Sequence, residues 1–312
     1  MARWTAANMP DLHGKTTVVT GANSGLGYFT ALELARHGAE VVLACRNQAK
    51  GEEAMASMRA EVPGGQLQLA SLDLADLASV RQFAKQFQAD HEGLDVLVNN
   101  AGVMAIPHHR TADGFEMQFG TNHLGHFALT GLLLPALLAR KAPRVVAVSS
   151  MAHVIGRIRF DDLQHEKSYS KWLAYGQSKL ANLLFARELD RRAKQAGSRL
   201  IAVAAHPGYA ATNLQTAGPE MAGRQLQARV MEALNGIVAQ SAAQGALPTL
   251  YGAVAPEVVG GEFFGPNQLL GMRGYPTRSM STPAGRNVET AARLWTVSEE
   301  LTGVKFGPLA AG

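Results

Sequence analysis

The sequence is poor in cysteine, since Cys45 is the only one among 312 residues. A single cysteine cannot form an internal disulfide or a cysteine-rich zinc site, which fits a reducing compartment. Apolar runs of about 18 residues or more are also missing, and the most apolar stretch, residues 127–138, has only the length of a buried helix and contains Pro135. Residues 1–10 lack the apolar core of a signal peptide. The sequence therefore predicts a cytoplasmic protein without a membrane span.

The sequence also lacks any local concentration of charge. Charged residues make up 17% of the chain, and the net charge of +4 is spread without any block of Lys or Arg. A scattered basic excess is typical of a solvated surface, so we predict no nucleic-acid partner. Hydrophobic residues make up 47%, which allows a large buried core and does not favour disorder.

Short apolar strands alternate with longer helices through the first two thirds of the chain. The predicted helices there include residues 26–37, 48–61 and 77–91, and the predicted strands are residues 16–19, 40–44, 67–72, 94–98, 144–148 and 201–205. This alternation implies βαβ crossovers and a parallel sheet that is covered on both faces. We predict an α/β fold: a single-domain, Rossmann-like, doubly wound parallel sheet with a C-terminal helical and loop elaboration.

A glycine-rich turn links the first predicted strand to the first helix. Here Gly21 permits a tight turn, Gly25 lets the backbone approach a pyrophosphate, and Gly27 lets the helix pack closely on the sheet. A phosphate would meet free N–H groups at the helix N-terminus, where the helix dipole favours negative charge. The turn opens the first βαβ unit, so it predicts a dinucleotide site. The predicted contact residues of this turn are Gly21, Asn23, Ser24, Gly25, Leu26 and Gly27.

The second predicted strand ends without an acidic residue, and Arg46 follows it. In an NAD site an Asp or Glu at this place holds the ribose hydroxyls. A carboxylate would repel the 2′-phosphate of NADP, whereas Arg46 can bind it through paired hydrogen bonds. We therefore predict NADP as the cofactor, with NADPH preferred over NADH. The alternative is that Arg46 is only an exposed residue at the start of a helix.

Three further groups of residues lie at predicted strand ends or on a predicted helix. Tyr175 and Lys179 are four residues apart and share one helix face. Ser149 and Ser150 end the fifth strand, at the carboxyl edge where open α/β sheets bind ligands. At the same edge Asn100, Ala101 and Gly102 follow the fourth strand, and the glycine allows a cofactor to approach closely.

These motifs together resemble the short-chain dehydrogenase/reductase family, whose pattern is Thr-Gly-x3-Gly-x-Gly, Asn-Asn-Ala-Gly, Ser and Tyr-x3-Lys. Within that family the stretches LACRN, SKLAN and LWTVS are similar to retinol dehydrogenase-like members. The resemblance implies a dehydrogenase or reductase with Asn122, Ser150, Tyr175 and Lys179 as catalytic residues. It also implies that Ser150 aligns better than Ser149 with the catalytic serine. Further cofactor contacts that it implies are Asp73, Leu74, Pro207, Gly208 and Thr212, together with Tyr175 and Lys179.

The mechanism expected from this resemblance is hydride transfer between the nicotinamide and a carbonyl or alcohol carbon. Tyr175 would act as the general acid or base, and the charge of Lys179 is expected to lower the pKa of its phenol. Ser150 would stabilise the oxyanion, and Asn122 would hold a water that links Lys179 to solvent. The expected partner is a small, lipophilic carbonyl or alcohol substrate. The natural substrate and the direction of the reaction stay open.

The sequence changes character after about residue 208. We assign residues 14–208 to the dinucleotide-binding and catalytic core and residues 209–312 to a substrate-binding C-terminal part, both within a single domain of residues 1–312. Helices are predicted for residues 219–255 and 288–301. Apolar residues at helical spacing favour either core packing or a hinged helix over an apolar pocket, and these are Met221, Met231, Leu234 and Val238. Residues 265–286 are too long for an ordinary connection, and either a lid or a subunit interface would explain them.

Other readings of the sequence are weaker. His123 and His126 share a helix face, but no nearby acid or cysteine completes a zinc set, so no metal is predicted. A non-catalytic NADPH-binding regulatory or scaffold protein on the same fold is the main alternative function. Such proteins usually lose a catalytic residue, and here Asn122, Ser150, Tyr175 and Lys179 are all present. Reduction of a carbon–carbon double bond is a third possibility. A homo-oligomer is compatible with the sequence but not required by it.

Overall fold

A mostly parallel sheet forms the centre of the fold in a computed structural model that describes residues 3–209 and 240–309. Its strands lie in the order β3-β2-β1-β4-β5-β6-β7-β8, and all neighbours are parallel except β7 and β8. In chain order the strands are β1 (Thr16–Thr20), β2 (Glu40–Cys45), β3 (Leu67–Ser71), β4 (Val96–Asn99), β5 (Arg144–Val148), β6 (Ile201–Ala205), β7 (Phe263–Gln268) and β8 (Arg273–Arg278). The predicted α/β fold is confirmed.

Helices cover both faces of this sheet. In chain order they are α1 (Gly25–Arg36), α2 (Gln48–Glu61), α3 (Leu77–Asp90), α4 (Met117–Phe119), α5 (Gly125–Leu132), α6 (Leu134–Leu138), α7 (Lys171–Gln195), α8 (Ala242–Val254) and α9 (Val288–Thr302). The predicted helix 48–61 and the predicted strands 144–148 and 201–205 have the observed bounds, and the other predicted ends differ by one or two residues. The predicted helical region 219–255 is described only in its last part, which contains α8.

The two faces of the sheet are separated by the alternation of side chains along each strand. Val18 belongs to the hydrophobic cluster under α5, α7 and α9, where Phe127, Phe185 and Trp295 pack together. Val19, its neighbour in β1, belongs to the opposite cluster, which includes side chains of α1 and α8. Because both faces are buried, the central strands are mostly apolar, as is typical of parallel strands.

The chain reverses its direction of progress across the sheet between β1 and β4. From β1 it moves outward to β2 and β3, and from β4 onward it moves to the other side. The loops after β1 and β4 therefore diverge and leave a crevice at the carboxyl ends of these strands. A crevice at this switch point is where open α/β sheets bind ligands.

Residues 265–286, for which the sequence left a lid or a subunit interface open, contain most of a β-hairpin. Here β7 and β8 pair antiparallel and extend the sheet at its edge. Pro266 and Pro276 are opposite each other in this hairpin. Proline lacks a backbone donor, so it is tolerated mainly at sheet edges, and this disguised both strands in the sequence. The apolar stretch 127–138 is likewise split into α5 and α6, with Pro135 in the first turn of α6.

Candidate active site

The glycine-rich turn has the backbone conformation that its glycines suggest. Gly21 and Gly25 have φ angles of +66° and +56°, in the left-handed region that glycine tolerates best. A Cβ on Gly27 would lie 2.3 Å from the Gly21 carbonyl oxygen, so α1 can approach the turn only through a glycine. Ser24 caps α1, but its hydroxyl makes no capping hydrogen bond. The hydroxyl and the first N–H groups of α1 are thus available to a phosphate.

The loop at the end of β2 lies against the same turn. The buried Cys45 sulfur interacts with the backbone N–H groups of Ala22 and Asn23, while burial raises its pKa to about 11. Arg46 follows directly and is exposed. Asp73 and Leu74 follow β3, where one oxygen of Asp73 accepts the N–H of Ala75 at 2.9 Å. The predicted adenosine contacts therefore lie at the ends of neighbouring strands on one side of the crevice.

The loop after β4 is attached to the end of β1 by the side chains of Thr20 and Asn100. The hydroxyl of Thr20 accepts the N–H groups of Asn100 and Ala101, both at 2.9 Å. The Asn100 side chain donates to the Thr20 carbonyl at 2.8 Å. Gly102 comes next, and a Cβ there would lie 2.9 Å from Asn122 Oδ1 and 3.5 Å from Lys179 Nζ. The predicted Asn-Ala-Gly contacts are thus brought against two of the predicted catalytic residues.

Asn122 lies in a π-helical turn, Gly120–Leu124, between α4 and α5. π-turns are rare and are often found at functional sites. Its amide oxygen accepts from Val103 N at 2.8 Å, and its amide nitrogen is 2.9 Å from both Val103 O and Ser178 Oγ. Both donors of the amide nitrogen are thus used on the protein, whereas the amide oxygen keeps one lone pair.

Ser149 and Ser150 have different environments at the end of β5. Ser149 is buried and donates to the carbonyl of Lys179 at 2.7 Å, so its hydroxyl is committed to α7. Ser150 is half-buried, accepts the Ala152 N–H at 3.2 Å and interacts with the Tyr175 phenol. Ser150, and not Ser149, is thus the serine whose hydroxyl faces the Tyr175 phenol.

Tyr175 and Lys179 lie one turn apart on α7, and the Lys179 ammonium is 5.7 Å from the Tyr175 ring centre. Lys179 Nζ donates to Val148 O at 3.1 Å. An ammonium group has three donors, so this bond leaves others for a ligand. Burial lowers the pKa of Lys179 to about 8.

The pKa of Tyr175 moves in the direction opposite to the prediction. Burial raises the pKa of Tyr175 to about 12, although the bond with Ser150 works against this rise. The helical spacing correctly placed Lys179 beside the tyrosine, but it carried no information on how deeply both groups are buried. Tyr175 is therefore protonated at neutral pH in the cofactor-free protein, which is the state of a proton donor.

The segment after β6 lies beside the hairpin of β7 and β8. Gly208 has a φ angle of +68°, and a Cβ there would lie 2.4 Å from Met272 O. The Pro207 carbonyl accepts from Gln240 Nε2 at 2.6 Å. Pro207 and Gly208 are thus held at the carboxyl edge, whereas the predicted contact Thr212 lies outside the described residues. The four apolar residues of the predicted lid, Met221, Met231, Leu234 and Val238, also lie outside them.

The two histidines that shared a helix face are buried and make hydrogen bonds. His123 Nε2 is 2.9 Å from Ser298 Oγ, and His126 bonds Thr20 and Asn122. Within residues 3–209 and 240–309, no group of three His, Cys, Asp or Glu residues is arranged to hold a metal ion. No helix in this described part is long and apolar enough to cross a membrane.

Sequence reasoning missed three polar residues that join the motifs to one another: Thr20, His126 and Ser178. Ser178 Oγ donates to the Tyr175 carbonyl at 2.8 Å and so ties α7 to Asn122. Each of these residues lies within a motif or within one turn of a motif residue, which was the one signal available. Thr20 and His126 are 106 positions apart, and Asn122 and Ser178 are 56 apart, so only the fold shows these contacts.

Comparisons with known proteins place this site in context. A sequence profile of the short chain dehydrogenase family matches residues 15–222. Retinol dehydrogenase 12 of Mus musculus is 43% identical over 295 residues, which are 94% of this chain and 88% of the relative. The crystal structure of an uncharacterised protein from Mycobacterium Paratuberculosis is 47% identical, with a TM-score of 0.80 and coverage of 98% of this chain and 99% of that chain.

A further solved structure was obtained with a nucleotide. It is a short chain dehydrogenase from Escherichia coli CFT073 complexed with NADPH, and it is 25% identical to this chain. Its TM-score is 0.62, with coverage of 81% of this chain and 97% of that chain. The region matched by the family profile includes the glycine-rich turn, Asn122, Ser150, Tyr175 and Lys179.

Proposed function

The chain belongs to the short-chain dehydrogenase/reductase family, and we propose that it is an NADP-dependent member acting on lipophilic carbonyl compounds or the corresponding alcohols. Membership of this family makes it an oxidoreductase with a nicotinamide cofactor. The observation that carries the proposal is the convergence of Ser150, Tyr175 and Lys179 at the crevice between the β1 and β4 loops. A hydroxyl donor, a phenol and an ammonium there form a set suited to proton transfer at a carbonyl oxygen.

The residues of the crevice fit a nicotinamide dinucleotide. The Ser24 hydroxyl and the start of α1 would hold the pyrophosphate, because they have unused donors and a favourable dipole. Gly102 leaves room beside Lys179, where a Cβ would come 3.5 Å from the ammonium nitrogen. The unused donors of Lys179 would bind the hydroxyls of the nicotinamide ribose. When bound, the nicotinamide supplies or accepts the hydride.

The protein side chains manage the proton and the developing charge. During reduction Tyr175 donates its phenolic proton to the substrate oxygen, and Ser150 donates a hydrogen bond to the same oxygen. Lys179 holds positive charge near the phenolate that remains and so lowers the free energy of that ionised state. Asn122 would hold the water through which a proton returns from solvent. In the oxidative direction the same groups act in reverse.

The preference for NADP rests on the loop that follows β2. This loop has no carboxylate for the ribose 2′-hydroxyl, and the exposed Arg46 is the basic side chain next to the adenosine end of the crevice. A guanidinium binds a phosphate with two parallel hydrogen bonds. The Escherichia coli relative described above was crystallised with NADPH, which is consistent with this preference.

The lipophilic character of the substrate rests on apolar side chains exposed beside the reacting groups. Met151, Val154 and Ile155 are exposed in the 3₁₀ turn that directly follows Ser150. Trp172 and Leu173 are exposed in the first turn of α7, ahead of Tyr175. Exposed apolar groups of this density mark binding surfaces. The curated relatives that carry the name retinol dehydrogenase suggest the same class of substrate.

A binding titration followed by turnover assays tests the proposal. NADPH and NADH are titrated separately by fluorescence against the wild-type protein, Arg46→Ala and the control Lys50→Ala, an exposed basic residue on the adjoining helix. A charge-assisted hydrogen bond contributes about 1.5–3 kcal/mol, so Arg46→Ala should weaken NADPH binding by about tenfold to a hundredfold and leave NADH unchanged. Equal affinity of the wild-type protein for both nucleotides would contradict the NADP preference.

The chemical step is tested with a panel of aldehydes and ketones of increasing chain length. The proposal predicts that the longer, apolar compounds oxidise NADPH. It also predicts that carbon–carbon double bonds in these compounds are still present in the products. A protein that binds NADPH without turning over any carbonyl compound would instead be the non-catalytic regulatory protein considered above. The presence of all four polar residues of the site does not favour that alternative.

The cytoplasmic location stays a prediction. It is tested by fractionating cells that express the full chain, and recovery in the membrane pellet would contradict it. The sequence leaves the oligomeric state open, and light scattering of the purified protein measures it against the mass of one chain, 33.1 kDa.

A further inference from the structure

We propose that His126 is a positioning residue that connects the glycine-rich turn, the loop after β4 and Asn122. It lies in α5, one turn beyond Asn122, and its ring is buried. Its Nε2 is 2.8 Å from Thr20 Oγ1, and its Nδ1 is 3.0 Å from the main-chain oxygen of Asn122. The role that follows rests on the proposed function, because it concerns the geometry of the same crevice.

The hydrogen-bond partners determine the tautomer of this ring. The Asn122 carbonyl can only accept, so His126 Nδ1 must carry the hydrogen. Its Nε2 is then an acceptor, because a buried neutral imidazole has a single N–H. Burial and the nearby charge of Lys179 lower the pKa of His126 to about 4, despite the opposing effect of the Asn122 bond, so the ring is neutral at physiological pH.

Thr20 completes the chain of hydrogen bonds. Its hydroxyl oxygen accepts two N–H groups, from Asn100 and Ala101, at 2.9 Å each. A hydroxyl has two lone pairs and one hydrogen, so its hydrogen must go elsewhere. The His126 Nε2 at 2.8 Å is a better acceptor than the Val98 carbonyl at 3.4 Å. The hydrogen bonds therefore all run in one direction. The N–H groups of Asn100 and Ala101 donate to the Thr20 hydroxyl, which donates to His126 Nε2, and His126 Nδ1–H donates to the Asn122 carbonyl.

This chain joins three segments that the cofactor and substrate would contact. Thr20 precedes Gly21 in the phosphate-binding turn, and Asn100 and Ala101 precede Gly102. Asn122 in turn contacts Gly102 closely and holds Val103 through both its amide groups. Loss of the imidazole would leave the buried Thr20 hydroxyl hydrogen with a poor acceptor and would release the π-turn from β1. A shift of a few tenths of an ångström would then reach Gly102 and Lys179.

A matched control is available three residues earlier, in the π-turn that precedes α5. His123 is also buried and packs against aromatic rings, but its Nε2 is 2.9 Å from Ser298 Oγ in α9 and does not bond Thr20. His123→Phe and His126→Phe remove the same chemical group from neighbouring buried positions. A purely structural role predicts that both variants lose stability and keep the kinetic constants of the folded enzyme.

The first test is made on the wild-type protein and needs neither substrate nor cofactor. Long-range ¹H–¹⁵N correlation spectra of the ¹⁵N-histidine-labelled protein at pH 7 report which ring nitrogen carries the hydrogen. The His126 signals are those that disappear in His126→Gln. If that variant does not fold, they are identified as the histidine signals that shift in Thr20→Ser. The proposal predicts the neutral Nδ1–H tautomer, and an Nε2–H tautomer or a doubly protonated ring would overturn it.

The second test separates the hydrogen bonds of the two ring nitrogens of His126. His126→Phe removes both, His126→Asn keeps a donor near the Nδ1 position, and His126→Gln keeps an acceptor near the Nε2 position. His126→Phe should lower kcat about tenfold or more, because small displacements of reacting groups are costly, while His123→Phe leaves kcat and KM unchanged. His126→Gln or His126→Asn should recover part of the loss. Wild-type kcat and KM in folded His126→Phe would overturn the proposal.

A double-mutant cycle tests whether His126 acts through Thr20. If His126 acts through Thr20, then His126→Phe adds little to the loss already caused by Thr20→Val, whereas independent effects would multiply and contradict the coupling. NADPH affinity is measured by fluorescence on the same four proteins. Should the wild-type protein reduce no carbonyl compound, the proposed function fails, but the tautomer and the NADPH affinities still decide the role of His126.

Discussion

Replacing Lys179 by methionine should abolish turnover and, at the same time, stabilise the cofactor-free protein. The lysine is buried, and burial disfavours its charged form, which lowers its pKa from the ordinary value of 10.5 to about 8. Methionine has a similar length and no charge. The Val148 carbonyl, which accepts from Lys179, keeps a second hydrogen bond from Asn182 Nδ2 at 3.0 Å. The substitution therefore leaves no buried acceptor without a partner.

The size of the effect follows from the shift in pKa. Each unit corresponds to about 1.4 kcal/mol, so the buried charge costs roughly 3 kcal/mol at neutral pH. The hydrogen bond that is lost offsets about 1 kcal/mol of this gain. We expect Lys179→Met to raise the free energy of unfolding by about 2 kcal/mol at pH 7.

The dependence on pH has a definite sign. Below pH 8 the lysine is charged in the folded and unfolded chains, so the cost is present in full. Between pH 8 and pH 10.5 the folded chain has released the proton and the unfolded chain still holds it, so the cost fades as the pH rises. The advantage of Lys179→Met should therefore shrink by about 2 kcal/mol between pH 7 and about pH 9.5.

Urea unfolding of the cofactor-free proteins at these two pH values measures the effect. Lys171→Met, which removes an exposed lysine from the first turn of the same helix, is the control and should change the stability by less than about 0.5 kcal/mol. A Lys179→Met protein that is no more stable than wild type at pH 7 would refute the reasoning. So would a gain in stability that is the same at both pH values.

Four further substitutions probe the crevice. Tyr175→Phe should lower kcat by about 10²–10⁴-fold and leave the NADPH dissociation constant nearly unchanged in a fluorescence titration; near-normal turnover would exclude it as the proton donor. Ser150→Ala should lower kcat by about 10²-fold with little change in stability, whereas Ser149→Ala should cost about 1 kcal/mol in urea unfolding and spare kcat; the reverse pattern would exchange their roles. Gly102→Ala should weaken NADPH binding and lower kcat together, because its Cβ would lie 2.9 Å from Asn122 Oδ1, and unchanged constants would show that the loop yields freely.

Much of the fold could be predicted from the sequence because both faces of a parallel sheet are buried. Strands such as Arg144–Val148 and Ile201–Ala205 are then short, continuous apolar runs, and the helices between them have a different period. The family profile confirms the resemblance. The motifs could be recognised in the sequence because they lie at the ends of the strands that this alternation predicts.

The hairpin of β7 and β8 was not predictable in this way. These strands contain Pro266, Pro276 and several polar residues. Phe263 and Phe264 at the start of β7 are buried on opposite faces, but the end of β7 and much of the edge strand β8 are exposed or half-buried. Their sequence is therefore that of a loop, although their backbone is extended and paired.

For the polar residues of the crevice, too, some relations could be predicted from the sequence and others could not. Local spacing was sufficient to place Tyr175 beside Lys179 and Gly21 before a helix, because both relations lie within a few residues along the chain. The rise in the pKa of Tyr175, the contrast between Ser149 and Ser150, and the bonds of His126 depend on burial and on partners distant in sequence. By itself the sequence determined which residues end the strands and which chemistry they carry. Only the tertiary structure decided how deeply those groups are buried and which donors meet which acceptors, because solvent exclusion and hydrogen-bond geometry arise when the segments pack together.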